Sequence, residues 1–195
     1  KVKIAEIQRE SSSIFKLITQ EGMSYLSRKI IVATGLKESL PNVKGIRDYY
    51  GKSIFSCPYC DGWELREQPL VLISESKNAI HMAKMIYQWS KDLVVCTNGN
   101  KIMTETEEQL FKRKGIRIKE EPIVNLRGSD GNLEKVVFAD GTELNRAGGF
   151  VTTELEQPND LAHTLGCEMN KQGGIIADAL GRTNVDGVYA AGDVS

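Results

Sequence analysis

Residues 69–96 read PLVLISESKNAIHMAKMIYQWSKDLVVC, and their pattern decides the fold class. Leu70–Ile73 is a short apolar run of strand length, bounded by Pro69 and a polar segment. From Asn78 to Trp89 the apolar residues Ile80, Ala83, Ile86, Tyr87 and Trp89 recur close to helical spacing. Asp92 then leads into a second apolar strand, Leu93–Cys96. A strand, a helix and a second strand of this length form a β-α-β unit, which demands a parallel sheet and an α/β fold.

Working outward, Thr104 is placed to cap a helix, with Glu107 three residues on completing a capping box and Gly115 ending it. Three β-like stretches follow, Ile116–Val124, Leu133–Phe138 and Gly149–Thr153, with Asp140-Gly141 as a turn between them. Upstream, Val2–Ile4 and Ile14–Ile18 read as strands around a polar Arg9–Ser13 turn. Gln20–Gly22 is a further turn. Lys29–Ala33 is a β-rich run that stops at Thr34-Gly35. Leu40–Gly51, with Pro41, Gly45 and Gly51, reads as a linker, so a domain boundary is expected there. Beyond Pro158, Asp160–Leu165 reads as a short helix. Gly173–Ile176 reads as a turn into a strand, and Gly187–Ala191 as a strand ending at Gly192-Asp193.

Composition excludes several classes of function. The 195 residues are 41% hydrophobic and 26% charged, with a formal net charge of -1. That balance gives no general affinity for nucleic acid or an anionic membrane. No apolar run approaches the roughly 20 residues that span a bilayer, and the start does not read as a signal peptide. A cytoplasmic location is expected. Four cysteines are too few for a disulfide-stapled secreted scaffold. His81 and His163, the only histidines, stand in no metal-ligand spacing, so no metal site is expected.

Two of the cysteines form Cys57-Pro58-Tyr59-Cys60, followed by Asp61-Gly62. This spacing brings two sulfurs close enough to cycle between dithiol and disulfide, and Pro58 restricts the backbone between them. An inert close pair, a structural disulfide and half of a metal site remain alternative readings of the same residues. Cys96 and Cys167 read as small buried hydrophobes. His81 reads as solvent-facing or packed. Trp63 reads either as part of a substrate-facing surface or as a packing residue.

Three motifs in this order carry a family resemblance. Ala33-Thr34-Gly35, followed by Pro41, resembles the turn that ends the first part of the FAD domain in flavoprotein reductases. Cys57-Pro58-Tyr59-Cys60-Asp61-Gly62 resembles the redox motif of low-molecular-weight thioredoxin reductases. Thr183 with Val188-Tyr189-Ala190-Ala191-Gly192-Asp193 resembles the late FAD motif at the ribityl chain. The resemblance covers nearly the whole chain. It implies a Rossmann-like FAD/NAD(P)-binding α/β domain, three-layered with a β-meander, over residues 41–156. Incomplete pieces of an FAD domain are implied at 1–40 and 157–195. Implied cofactor contacts are Thr34, Gly35, Gly192 and Asp193. Cys60 is the sulfur implied to face the flavin, Cys57 the one that attacks a substrate disulfide, and Asp61 the acid that protonates the departing thiolate.

The resemblance also sets expectations by what departs from it. No Gly-x-Gly-x-x-Gly turn precedes Ala33, so the sequence reads as a piece of a protein of roughly 300 residues. FAD is expected in that parent and not in the piece. Where a dinucleotide fingerprint should follow Leu70–Ile73, the chain has Ser74-Glu75-Ser76-Lys77-Asn78-Ala79 without a glycine. Thr97-Asn98-Gly99-Asn100 stands where arginines for a 2′-phosphate are expected, and Thr153-Glu154-Leu155-Glu156 where a second glycine turn is expected. These departures predict a domain that keeps its fold and has lost tight NADPH binding. Reduced ferredoxin, another flavoprotein or dioxygen would then complete the cycle. The implied partner is a thioredoxin-like protein or a small-molecule dithiol or disulfide, and the implied assembly is a homodimer. The rival reading is a non-enzymatic thiol redox sensor or binding module on the same fold.

Overall fold

The computed structural model describes residues Lys1–Ser195 and divides them into two compact units, Leu40–Glu154 and a discontinuous one made of Lys1–Ser39 and Leu155–Ser195.

The continuous unit holds α1 (Ile46–Tyr49), β6 (Ile54–Phe55), α2 (Pro58–Asp61), β7 (Leu70–Ile73), α3 (Asn78–Trp89), β8 (Leu93–Cys96), α4 (Glu105–Arg113), β9 (Arg117–Lys119), β10 (Ile123–Ser129), β11 (Asn132–Phe138), β12 (Glu143–Asn145) and β13 (Gly148–Val151). Five of the strands form a parallel sheet in the order β6-β13-β7-β8-β9. All four residues of β7, of β8 and of β13 are buried, as expected for strands covered on both faces. Their side chains alternate between two cores. Leu70, Leu72, Leu93, Val95 and Phe150 face the helices, joining Ala79, Ala83 and Ile86 of α3 and Phe111 of α4. Val71, Ile73, Val94, Cys96 and Val151 face the other way, against Ile123, Leu126, Leu133, Val136 and Phe138 of the antiparallel meander β10-β11-β12. The result is three layers: helices, parallel sheet and meander. This is the Rossmann-like α/β architecture the sequence implies. Each fully buried Leu, Ile or Phe contributes about 1.5–3 kcal/mol.

Local signals explain the helices. Ala79, Ala83 and Ile86, at steps of four and three, form the buried stripe of α3. The helix α4 carries the expected capping box: Thr104 Oγ1 accepts from the Glu107 N–H, and Glu107 Oε2 accepts from the Thr104 N–H.

The discontinuous unit holds β1 (Ile4–Arg9), β2 (Phe15–Thr19), β3 (Ser24–Ser27), β4 (Ile30–Val32), β5 (Lys37–Ser39), β14 (Glu154–Glu156), α5 (Leu161–Thr164) and β15 (Val188–Ala190). β1, β2 and β3 form an antiparallel sheet, β4 pairs in parallel with β15, and β5 pairs with β14. Ile7, Phe15, Ile30, Val32, Cys167, Ile175, Val188 and Val194 are buried together as its core.

Four expectations are corrected. Leu40–Gly51 is not a free linker: Val43, Ile46 and Tyr49 are buried in the meander-side core, which holds α1 in place. Ile116–Val124 is two strands, β9 in the parallel sheet and β10 in the meander, with Pro122 in the break between them. Gly173–Ile176 forms only an isolated bridge, Ile175 to Met169. The first strand lies at Ile4–Arg9 instead of Val2–Ile4, because pairing Ile7 with Leu17 and Arg9 with Phe15 buries Ile7.

Candidate active site

The redox motif follows β6. Cys57 is the N-cap of α2, Pro58 its first residue, and Cys60 and Asp61 complete the single turn. Proline suits the first helical position, where its missing N–H costs nothing. Cys57 and Cys60 are joined as a disulfide, with Cα atoms 5.3 Å apart, and the Cys57 Sγ accepts from the Cys60 N–H at 3.2 Å. Cys57 is half-buried and Cys60 exposed.

Asp61 lies in the same turn, half-buried. Its burial, and behind that the neighbouring Glu64, holds its carboxyl above the usual carboxylate range. A carboxyl raised in this way keeps its proton to a higher pH than an ordinary one.

The motif is seated by aromatic packing that the sequence alone did not reveal. Gly62 sits against the end of α3, where a Cβ would run into the indole Nε1 of Trp89 and the Pro58 carbonyl. Trp63 meets Trp89 edge-on at 6.3 Å, and the Arg66 guanidinium lies 4.0 Å over the Trp63 ring. The Arg66 Nη1 also donates to the Trp63 carbonyl at 2.7 Å. Trp63 packs along one edge against Trp89, while 60% of the residue stays exposed. Tyr59, between the two cysteines, is 80% exposed. The other cysteines are buried, as read. Burial pushes the Cys96 thiol up to about 12, which keeps it protonated and inert.

In the discontinuous unit the two remaining motifs meet. Thr34 and Gly35 follow β4, Gly192 and Asp193 follow β15, and these strands are parallel neighbours, with Ala190 opposite Val32. The Ala191 N–H donates to the Val32 carbonyl at 3.0 Å, extending the pairing to the edge of the motif. Four residues far apart in sequence thus share the carboxyl end of one strand pair, the place where α/β sheets bind ligands. Gly192 has φ of 82° and open space where a side chain would stand, and Gly35 has φ of 64° with the same openness. A cavity of about 610 Å³ lies beside Gly192, lined also by Asn170, Asp178, Gly181 and Ser195. Bare backbone at Gly192 and the open cavity beside it leave room for the polyhydroxyl part of a flavin dinucleotide.

The corresponding place in the continuous unit differs. In its sheet, β13 and β8 flank β7, so the strand order reverses beside β7 and a crevice is expected at the ends of β7 and β13. There Thr152 Oγ1 donates to Ser74 Oγ at 2.8 Å, and Ser74 is completely buried. One strand over, Asn98 Nδ2 donates to Glu75 Oε1 at 2.5 Å, while Asn98 Oδ1 accepts from the Ile123 N–H. Glu154–Glu156, the third departure, forms β14, with Glu156 bound to Lys37 and Ser39.

Comparison with known proteins agrees with this geometry. The family model described as pyridine nucleotide-disulphide oxidoreductase matches residues 1–195. The chain is 27% identical over 203 residues to the thioredoxin reductase aclD of Aspergillus oryzae, and 24% identical over 208 residues to the thioredoxin reductase of Helicobacter pylori. These alignments cover 98% and 100% of this chain, and 64% and 67% of those relatives. The TrxB structure from Bacillus anthracis superposes with a TM-score of 0.95 at 40% identity, over 100% of this chain and 65% of that one. The chain thus spans about two thirds of the length of the proteins it matches. With the family model covering its whole length and a thioredoxin-reductase-like fold around the Cys57–Cys60 disulfide, the chain belongs to the pyridine nucleotide-disulphide oxidoreductase family.

Proposed function

We propose that the protein of which this chain forms part is an FAD-dependent dithiol/disulfide oxidoreductase working through Cys57 and Cys60. The observation that carries the reading is the disulfide closed across one helical turn, with the raised carboxyl of Asp61 in that same turn. In the reduced pair, the Cys57 thiolate attacks one sulfur of a substrate disulfide and expels a thiolate, which Asp61 protonates. Cys60 then attacks the Cys57 sulfur and releases the second thiol, restoring the internal disulfide. Thr34, Gly35, Gly192 and Asp193 are the residues to hold FAD, with Asp193 accepting from a ribityl hydroxyl and the glycines admitting the cofactor to the backbone. FAD held there supplies two-electron chemistry to the pair.

NADPH is not the tightly bound donor in this reading. No glycine follows β7, Glu75 places a carboxylate where phosphates would sit, and the Thr152–Ser74 bond occupies the end of the crevice. The substrate is a thioredoxin-like protein, as the names of the relatives suggest, or a small dithiol or disulfide. The test uses the full-length protein. Its flavin spectrum is recorded and bleaching is followed with NADPH, NADH and a dithiol in separate cuvettes. Bleaching by dithiol alone, lost in Cys57→Ser and Cys60→Ser, is the expected result. Rapid bleaching by NADPH refutes the donor assignment. A protein without flavin refutes the enzymatic reading in favour of a thiol sensor.

A further inference from the structure

We propose that the crevice at the carboxyl end of β13 binds a small disulfide bearing carboxylate groups and presents it to Cys57. The inference rests on the reading that the Cys57/Cys60 pair exchanges with an outside disulfide, and it names the class of that substrate.

A cavity of about 300 Å³ lies where the end of β13, the first turns of α3 and the end of β6 converge. That volume is at the low end of small-molecule sites, roughly 300–1,000 Å³. It is too short for a dinucleotide, because Ser74 and Glu75, toward which one would extend, are engaged by Thr152 and Asn98. Ser56, which forms part of the wall, immediately precedes Cys57. One residue step is about 3.8 Å of chain, so the wall of the cavity at Ser56 is one residue from Cys57.

The lining determines the ligand chemistry. Ser56, Asn78, His81, Thr152 and Thr153 supply hydroxyl, amide and imidazole groups, Met82 adds a thioether, and no carboxylate is among the lining residues. Ser56 Oγ accepts from the Tyr50 hydroxyl at 3.0 Å, which leaves its own proton to donate to a ligand. Thr152 gives its proton to Ser74, so its oxygen faces a ligand as an acceptor only. Asn78 and His81, both exposed on α3, add donors. A cationic ligand finds no counter-charge here. A carboxylate finds several donors, and hydrogen bonds to an ionised group are the strong ones. Met82 suits the methylenes and sulfur between such carboxylates.

Starting from the reduced pair, regenerated in the proposed reading with two electrons from FAD, the exchange balances without a further reagent. The reduced pair gives two electrons to the bound disulfide. The S–S bond of the substrate breaks as the Cys57–S–S mixed disulfide forms, and that bond breaks as the Cys57–Cys60 bond forms. Two small thiols leave, carrying the two thiol protons of the pair.

The test reduces the full chain with a phosphine, removes the excess, and mixes the protein with 3,3′-dithiodipropionate or with neutral hydroxyethyl disulfide. Release of the small thiol is followed by chromatography. The expected rate with the dicarboxylate saturates and exceeds the neutral rate by about tenfold, the effect of one or two charge-assisted hydrogen bonds. His81→Ala and Asn78→Asp each bring the ratio of the two rates to about one. Equal, non-saturating rates for both reagents, or an unchanged ratio in both variants, overturn the proposal. If neither reagent nor a thioredoxin oxidises the pair, the exchange reading itself has failed. Calorimetry of dithiodipropionate with the Cys57→Ser/Cys60→Ser chain then decides the cavity separately: binding upholds it and no binding overturns it.

Discussion

Two crevices in this chain occupy the same architectural position and have opposite character. One lies at the carboxyl ends of β4 and β15, the other at the carboxyl ends of β7 and β13. At the first, Gly35 and Gly192 leave bare backbone beside Asp193. At the second, Ser74, Glu75 and Thr152 fill the corresponding space with side chains that bond to one another and to Asn98. Both places lie at the carboxyl ends of parallel strands, but only backbone stripped of side chains admits a pyrophosphate or ribityl chain closely. In the proposed reading fold and ligand are separable: the continuous unit keeps every layer of its core, while bonded side chains stand at the end where a dinucleotide would lie.

The comparison can be broken most decisively in the helix-side core of the continuous unit. Phe150 on β13 is fully buried between the parallel sheet and α3. Phe150→Ala is expected to cost about 3–5 kcal/mol, a fall of roughly 6–20 °C in the thermal midpoint. A fall of only a degree or two by calorimetry would mean that this core is loosely packed. Next comes Gly192→Val at the open crevice. Holding a β-branched residue at a φ of 82° costs about 1–2 kcal/mol, and the side chain fills the approach to the backbone. Flavin retained by the full-length protein, read from its absorbance relative to protein, is expected to drop sharply. Undiminished flavin would remove the contrast between the two crevices.

A smaller effect tests the closure itself. Thr152→Val removes the donor to the buried Ser74 hydroxyl and should cost about 1 kcal/mol in denaturant unfolding. No cost would show that the bond does not close the Ser74 end of the crevice. The smallest effect lies outside both crevices and serves as a reference. Bonds from the Thr142 hydroxyl and N–H, then from Lys119, lower the Asp140 carboxyl from the ordinary 3.8 to about 2. Because the folded value is depressed, the stabilisation is present above 3.8 and lost as pH falls from there toward about 2. Asp140→Asn should flatten the acid limb of the stability profile in that window, and an unchanged limb would exclude this turn as its source.

The parts of the fold legible in the sequence are those whose signals are local. Leu70–Ile73, Asn78–Trp89 and Leu93–Cys96 occur at the residues expected, because an all-apolar run and apolar residues near helical spacing are complete within a few residues, although the buried stripe of α3 starts at Ala79 and not at Ile80. The Thr104/Glu107 box and the Asp140-Gly141 turn were readable for the same reason. β3 and β12 carried no such signal: they are short and mostly exposed, and exist because an adjacent strand supplies their hydrogen bonds. The α1 segment was misread as a linker because its glycines and proline are visible in sequence, whereas the core that receives Val43, Ile46 and Tyr49 is not. At the candidate site, the cysteine spacing and Asp61 were legible. The seat made by Gly62, Trp63, Trp89 and Arg66 was not, since α3 brings Trp89 there from 27 residues away from Gly62.

By itself, then, the sequence determined the alternation of strands and helices, the helix cap, the redox pair and the absence of glycines after β7, all of them properties of contiguous residues. Only the tertiary structure decided that β13 inserts between β6 and β7, that Thr152 meets Ser74, that Thr34 and Gly35 share an end with Gly192 and Asp193, and that Ser56, His81 and Thr152 surround one cavity. Such juxtapositions join residues many tens of positions apart. They follow from which buried faces can be satisfied together once the loops have closed, a requirement of the whole chain that no local spacing encodes.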